Sequence, residues 1–417
     1  MRVLKLTPKL ERQFLRARRA RDVAAEKVAA RIIADVRKRG DTALFFWAEK
    51  LDGIDLRRDA VWVSRREMAV AEKNVSRGFL RALRHAVQNV RRVAERQLPR
   101  EWIIEVEPGV KIGQLVRPLE AVGCYIPGGR FALVSTLVMT VAPAVVASVK
   151  RIVVVCPRPN AELLAAASLL GVTELARIGG AQAIAALAYG TKSVPHVNKI
   201  FGPGNRYVTA AKQLVSHDCA IDLPAGPTEA IVLATQGNPR WIAADLLAQA
   251  EHAPDASSYL VTTSATLAER VQQEITAQLR QLPRENPAHV SAKKTGAVFL
   301  APSLETACAF VNQFAPEHLS LPHGAGALIG KIRACGTVFL GSWAAQPLGD
   351  YASGSNHVLP TGGWARVRGG LSTADFVKCI SVQSINKKGF ARLAADVQLL
   401  ARAEGLNAHA NAVEVRR

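Results

Sequence analysis

Between residues 24 and 36 apolar side chains recur at three- and four-residue spacing (Ala25, Val28, Ala29, Ile32, Ile33, Val36), and the run stops at Lys38-Arg39-Gly40. That period predicts an amphipathic helix closed by basic residues and a glycine. A second helical run is predicted over 64–97, so residues 1 to 100 read as helices. From about 103 the texture changes to short β-branched runs, around Val116, over 121–126 and over 151–156, with helical stretches between them. The alternation continues through a helix over 162–170, a strand over 175–178, a helix over 181–189 and a strand near 199–201. Continuous apolar strands flanked by helices imply a parallel sheet covered on both faces. A second block begins at 230–234 and continues through a helix over 241–252, a strand over 259–263, a long amphipathic helix near 265–281 and strands at 297–300 and 337–340. Two sheets are expected, and the tail from Thr373 to Arg417 is predicted to return to helix.

The chain has 417 residues, 49% of them hydrophobic, which is enough length and apolar content for two to three domains with buried cores. The uncharged run over 131–149 is interrupted by Ser135, Thr136, Thr140 and Ser148, and Pro143 is expected to break its most apolar half. It reads as buried core and not as a membrane span. The N-terminus is basic but carries Pro8, Glu11 and Asp22 and lacks an apolar signal core, so a cytoplasmic protein is expected. The six cysteines lie far apart with no C-x-x-C pair, which argues against a disulfide framework and against a thiolate zinc site. Net charge is +20, and residues 1 to 100 alone hold 26 Lys+Arg against 12 Asp+Glu, a net of +14. Arg16, Arg18, Arg19 and Arg21, with Arg81, Arg84, Arg91 and Arg92, can form a phosphate-binding face or a solvated helical surface. No aromatic platform or nucleic-acid module accompanies them, which argues against nucleic acid as the partner.

No G-x-G-x-x-G string is present. The nearest is Gly202-Pro203-Gly204-Asn205, which lacks the third glycine and fits a tight turn equally well. Gln249 and His252 lie three apart at the end of a predicted helix, so they share a face and can point at one ion, or form an ordinary surface pair. Asp350, in a turn-like Gly-Asp-Tyr, and His409, in the tail, would complete an N/O set suited to zinc or another divalent ion; separately, each also reads as a turn residue or a satisfied helix histidine. In Ala315-Pro316-Glu317-His318-Leu319 a carboxylate and an imidazole are adjacent and are expected to diverge, each free to serve a different proton transfer; a helix start with Pro316 at its first position fits as well. The segments 354–363 and 223–229 are loops dense in polar side chains and turn formers.

The strings GGAQAIAALAYGT (179–191), GPGNRYVTAAK (202–212), DLPAGPTEA (222–230), AADLLAQAEH (243–252), FAPEHL (314–319), GDYASGSNHVLPTGG (349–363) and EGLNAHANAVEVR (404–416) together resemble histidinol dehydrogenase, in order and through essentially the whole chain. The resemblance implies oxidation of L-histidinol to L-histidine by two hydride transfers to NAD, through an aldehyde that stays on the enzyme, closing histidine biosynthesis. It implies one zinc per subunit on Gln249, His252, Asp350 and His409, NAD contacts from Tyr125, Gln182 and Asn205, and a histidinol site lined by Thr228, Gln249, His252, His318, Asp350, His357, Glu404 and His409. His318 would act as general base and Glu317 would activate the water that adds to the aldehyde. It further implies an α/β fold of two Rossmann-like parallel-sheet domains, one discontinuous: an N-terminal helical arm over 1–19, a domain from 20–124 joined to 234–371, a second over 125–233 with the NAD contacts, and a tail over 372–417. The tail would cross to a second copy, so that a homodimer shares its active sites.

Two features depart from the family pattern. Thr228 stands where serine is common, which keeps the hydroxyl and adds a methyl, and the 129–135 loop differs near the expected NAD contacts. The alternatives are a related zinc and NAD dehydrogenase of another small polyol or amino alcohol, disfavoured by the 356–360 and 404–409 segments, and a zinc hydrolase, which would not require NAD.

Overall fold

A computed structural model describes residues 1–17, 22–128, 133–223, 226–322 and 324–417. Arg18, Arg19 and Arg21 of the basic cluster, and most of the 129–135 loop, lie outside the described residues.

The apolar runs form two parallel sheets, as their continuous hydrophobicity requires. In the first, the spatial order is Glu174–Ala176, Arg151–Val155, Ala121–Tyr125, Lys199–Phe201, Ala220–Ile221. Successive strands add outward from Ala121–Tyr125 on one side and resume on its other side with Lys199–Phe201. The chain therefore reverses direction between these two strands, which opens a crevice at their carboxyl ends. Residues 25–56 pack with helices Gly180–Tyr189 and Arg206–Val215 on one face of this sheet. Helices Arg65–Asn74 and Arg77–Gln97 pack with Val134–Val146 and Ala161–Leu170 on the other. Residues 23–97, grouped with 234–371 in the sequence reading, thus build the layers of the first sheet.

The second sheet runs Arg2–Lys5, Ala297–Leu300, Ser257–Thr262, Glu229–Leu233, His318–Leu321, Thr337–Leu340, every neighbouring pair parallel. Alternate side chains feed two cores: Ile231, Leu233, Tyr259, Val261 and Phe299 on one face, Val232, Leu260 and Val298 on the other against helices Pro239–Ala250 and Ala265–Leu279. The expected N-terminal helical arm instead begins with an edge strand, because Val3 and Leu4 pair alongside Val298 and Phe299; helix Pro8–Ala17 follows. Residues 222–228 connect the carboxyl edge of the first sheet directly to the amino edge of the second.

The 64–97 helix is two helices. Val75 is extended at φ −83°, ψ 159°, and the Ser76 side chain caps Phe79 N. The helix Val134–Val146 continues through Pro143 to its end, and its residues 136–144 are buried. The tail is not all helix: Val377–Ile385 is a strand, antiparallel to Val110–Pro118, which pairs in turn with Trp102–Glu107. Its β-branched Val377, Ile380, Val382 and Ile385 suit a pleated strand once a partner more than 250 residues away is present. Helices Lys387–Ala403 and Asn407–Glu414 follow. All six cysteines are free, and among the described residues no helix is long and apolar enough to cross a membrane.

Candidate active site

Thr228 and Glu317 meet where two adjacent strands of the second sheet begin, Thr228 one residue before Glu229–Leu233 and Glu317 one residue before His318–Leu321. The Pro316 segment is therefore a strand entry and not a helix start. Helix Leu304–Phe314 closes with Ala315 in the left-handed region, φ 52°, and the chain turns into the sheet. Glu317 and His318 do not diverge: Glu317 Oε2 lies 3.7 Å from His318 Nδ1. Both are buried.

Glu317 Oε2 accepts from Thr228 Oγ1 and, at 2.9 Å, from the Glu229 backbone N–H. Thr228 Oγ1 also accepts from Gln249 Nε2, so one hydroxyl joins the carboxylate to the last turn of helix Pro239–Ala250. His318 Nε2 lies 3.5 Å from Asp350 Oδ1, and the His318 ring stacks on Phe339 with centroids 5.9 Å apart. Burial disfavours the charged ring, but the flanking Glu317 and Asp350 carboxylates outweigh it and raise the pKa of His318 from 6.5 to about 10. Burial pushes the Asp350 carboxyl up, yet His318, with His357 and His252, holds it below the ordinary value. His252 Nδ1 is 3.0 Å from Ala248 O. His357 Nδ1 is 2.8 Å from Asp350 O and its Nε2 is 3.2 Å from Thr136 Oγ1; loss of water lowers its pKa.

Thr228, Gln249, Glu317, His318, Asp350 and His357 therefore form one cluster, and His252 lies three residues beyond Gln249. Glu404 and His409 do not join it: both are exposed on the tail, and among the described residues no side-chain hydrogen bond or ion pair links them to it. Among the described residues, no three His, Cys, Asp or Glu side chains of this single chain gather closely enough to hold a metal.

The remaining predicted positions lie around the crevice of the first sheet. Tyr125 ends the central strand, and its hydroxyl accepts from Gly180 N at 3.1 Å. Gln182 is fully buried, with Nε2 donating to Asp52 Oδ2 at 2.8 Å and Oε1 unpartnered. Asn205 caps helix Arg206–Val215, accepting from Tyr207 N and Val208 N. Gly202 has φ +108°, and a Cβ there would lie 2.1 Å from Tyr125 O, so only glycine lets this loop pass so close.

Sequence reasoning missed the supports of both regions. Asp52 holds Gln182 from a π-helical turn, Ala48–Asp52. Lys212 and Asp222 form a buried ion pair on Gly202: Lys212 Nζ donates to Gly202 O at 2.7 Å, and Asp222 Oδ2 accepts from Gly202 N at 2.8 Å. Thr361 Oγ1 accepts from Gly226 N. No spacing rule reveals that Lys212, on helix Arg206–Val215, meets Asp222 and Gly202 in the neighbouring loops.

The histidinol dehydrogenase family model matches residues 15–417. The chain belongs to the histidinol dehydrogenase family. It is 45% identical to the histidinol dehydrogenase of Halalkalibacterium halodurans over 392 residues, 92% of each chain, and 47% identical to that of Geobacillus kaustophilus over 393 residues, again 92% of each. Its fold matches the crystal structure of histidinol dehydrogenase from Elizabethkingia anophelis with a TM-score of 0.93 at 36% identity, covering 100% of this chain and 98% of that one.

Proposed function

We propose that this chain oxidises L-histidinol to L-histidine in two successive NAD-linked steps at the cluster around Glu317 and His318, with zinc held by Gln249, His252, Asp350 and the His409 of a second copy. Family membership makes the chain an oxidoreductase of histidine biosynthesis acting on histidinol. The observation that carries the site is the convergence, from four separate segments, of Thr228, Gln249, Glu317, His318, Asp350 and His357.

The donor set fits zinc. His252 turns Nδ1 to a backbone carbonyl, which is how a ligating imidazole commits its other nitrogen to a metal. Gln249 spends its amide nitrogen on Thr228, leaving the amide oxygen as its donor, and Asp350 is held ionised. When bound, zinc would chelate the amino and imidazole nitrogens of histidinol and so orient the carbinol. NAD would accept hydride at each oxidation, from the crevice bounded by Tyr125, Gln182 and Asn205. His318 takes the alcohol proton in the first oxidation and a proton again in the second. With zinc bound, Asp350 would favour the imidazolium less, which would leave His318 closer to the neutral form that a base requires. Glu317, fixed through Oε2 by Thr228 and Glu229, activates the water that adds to the aldehyde.

Glu404 and His409 act in the neighbouring subunit of a homodimer in this reading. The exposed apolar side chains Trp102, Ile103 and Ile104 on the outer strand, and Leu399 and Leu400 on the tail helix, support a second copy as their cover. The reaction takes place in the cytoplasm. Subunit mixing tests the shared site. H409A and E317Q chains, each inactive alone, should regain roughly a quarter of the parent activity when mixed at random, because each hybrid has one intact site. No recovery from demonstrated hybrids would refute it.

A further inference from the structure

The helix Val134–Val146 carries Pro143 inside it. Proline has no N–H, so the carbonyl four residues earlier, Met139 O, loses its helical donor, and Met139 is fully buried with no access to water. That carbonyl is not left open. Asn356 reaches in from the loop after helix Gln346–Tyr351 and donates from Nδ2 to Met139 O at 2.7 Å. Its other amide atom, Oδ1, accepts from Val358 N at 2.9 Å. Both halves of one amide are thus used, the nitrogen on the helix and the oxygen across His357. Thr136, one turn before Met139 on the same helix, meets His357 Nε2 at 3.2 Å, and His357 Nδ1 meets Asp350 O at 2.8 Å.

We propose that Asn356 is a positioning residue for His357, and that Pro143 makes its anchor point by leaving the Met139 carbonyl without a helical donor. The proline that ought to interrupt the helix is what lets the helix grip the loop beside it. An ordinary residue at 143 would close the helical bond and compete for the carbonyl. The proposal rests on His357 belonging to the substrate site, and the test separates the two.

The experiment is a double-mutant cycle with N356A and P143A in the full-length, zinc-loaded dimer, reading the urea midpoint and the KM for histidinol and for NAD. N356A alone strands a buried carbonyl and frees the loop, so it lowers the midpoint and raises the histidinol KM about tenfold, with the NAD KM within about twofold of the parent. In P143A/N356A the backbone N–H gained at position 143 satisfies Met139 O while Val358 N still lacks its acceptor, so the midpoint recovers part of the way toward that of P143A while the histidinol KM stays raised. Recovery of KM together with stability would reduce Asn356 to a structural residue and overturn the proposal, as would a raised NAD KM or a histidinol KM unmoved by N356A. H357N is measured beside the cycle. An unchanged histidinol KM there would remove His357 from the substrate site and overturn the reading beneath the proposal, whereas the midpoint cycle judges the anchor by itself.

Discussion

Replacing Thr228 by valine keeps the shape of the side chain and removes one oxygen that serves two partners. In the parent that oxygen donates to Glu317 Oε2 and accepts from Gln249 Nε2. The bond to an ionised carboxylate contributes about 1.5–3 kcal/mol, and a buried amide N–H left without an acceptor costs about 1–3 kcal/mol. The two losses share one atom and do not simply add, and Glu317 keeps its bond from Glu229 N at 2.9 Å. We therefore expect T228V to lose about 2–4 kcal/mol in urea unfolding at unchanged slope. Zinc affinity should fall as well, because nothing then turns the Gln249 amide oxygen toward the ion. T228S retains the hydroxyl and should stay within about 1 kcal/mol, the loss expected of a single methyl. A T228V protein within about 0.5 kcal/mol of the parent, with its zinc affinity intact, would show that this hydroxyl does not organise the cluster.

Three further outcomes follow from the same geometry. Burial pushes the Asp245 carboxyl up to about 6, against the lowering effect of the Gln346 backbone N–H. A carboxyl raised above its unfolded value adds stability below that value and loses it as pH rises through the folded one, so the metal-free protein should weaken between about pH 4 and 6. D245N should be more stable than the parent by about 1–3 kcal/mol at pH 7.5 and converge with it near pH 4; parallel curves would contradict this. K212M strands the buried Asp222 carboxylate and should destabilise the fold by about 3–5 kcal/mol, with K212M/D222N recovering part of the loss because no buried charge remains. Strictly additive losses in urea would show that the pair is not coupled.

What the sequence disclosed and what it hid divide along a physical line. The strands Glu229–Leu233, Ser257–Thr262 and Ala297–Leu300 were legible because buried parallel strands must be apolar on both faces. Arg2–Lys5 and Val377–Ile385 were not, because each is a strand only by virtue of a partner far along the chain, at Ala297–Leu300 and Val110–Pro118. The adjacency of Glu317 and His318 is printed in the sequence, but their placement at a strand entry beside Thr228 depends on the order of strands in the sheet. Pro143 was legible as a proline in an apolar run and misleading as a helix breaker, since the donor that answers its missing N–H lies at Asn356. Asp52, Lys212 and Thr361 left no local signal, because each works by a hydrogen bond to a different element of the fold, a helix for Asp52 and a loop for Lys212 and Thr361.

The most direct measurement is the number of NADH formed per L-histidinol consumed by the purified, zinc-loaded protein, followed by absorbance and repeated after stripping with EDTA and after restoring zinc. Two NADH per histidinol are expected, lost on stripping and recovered with zinc. A folded, zinc-replete dimer that turns over no histidinol, or that stops at one NADH with free aldehyde in solution, would contradict this.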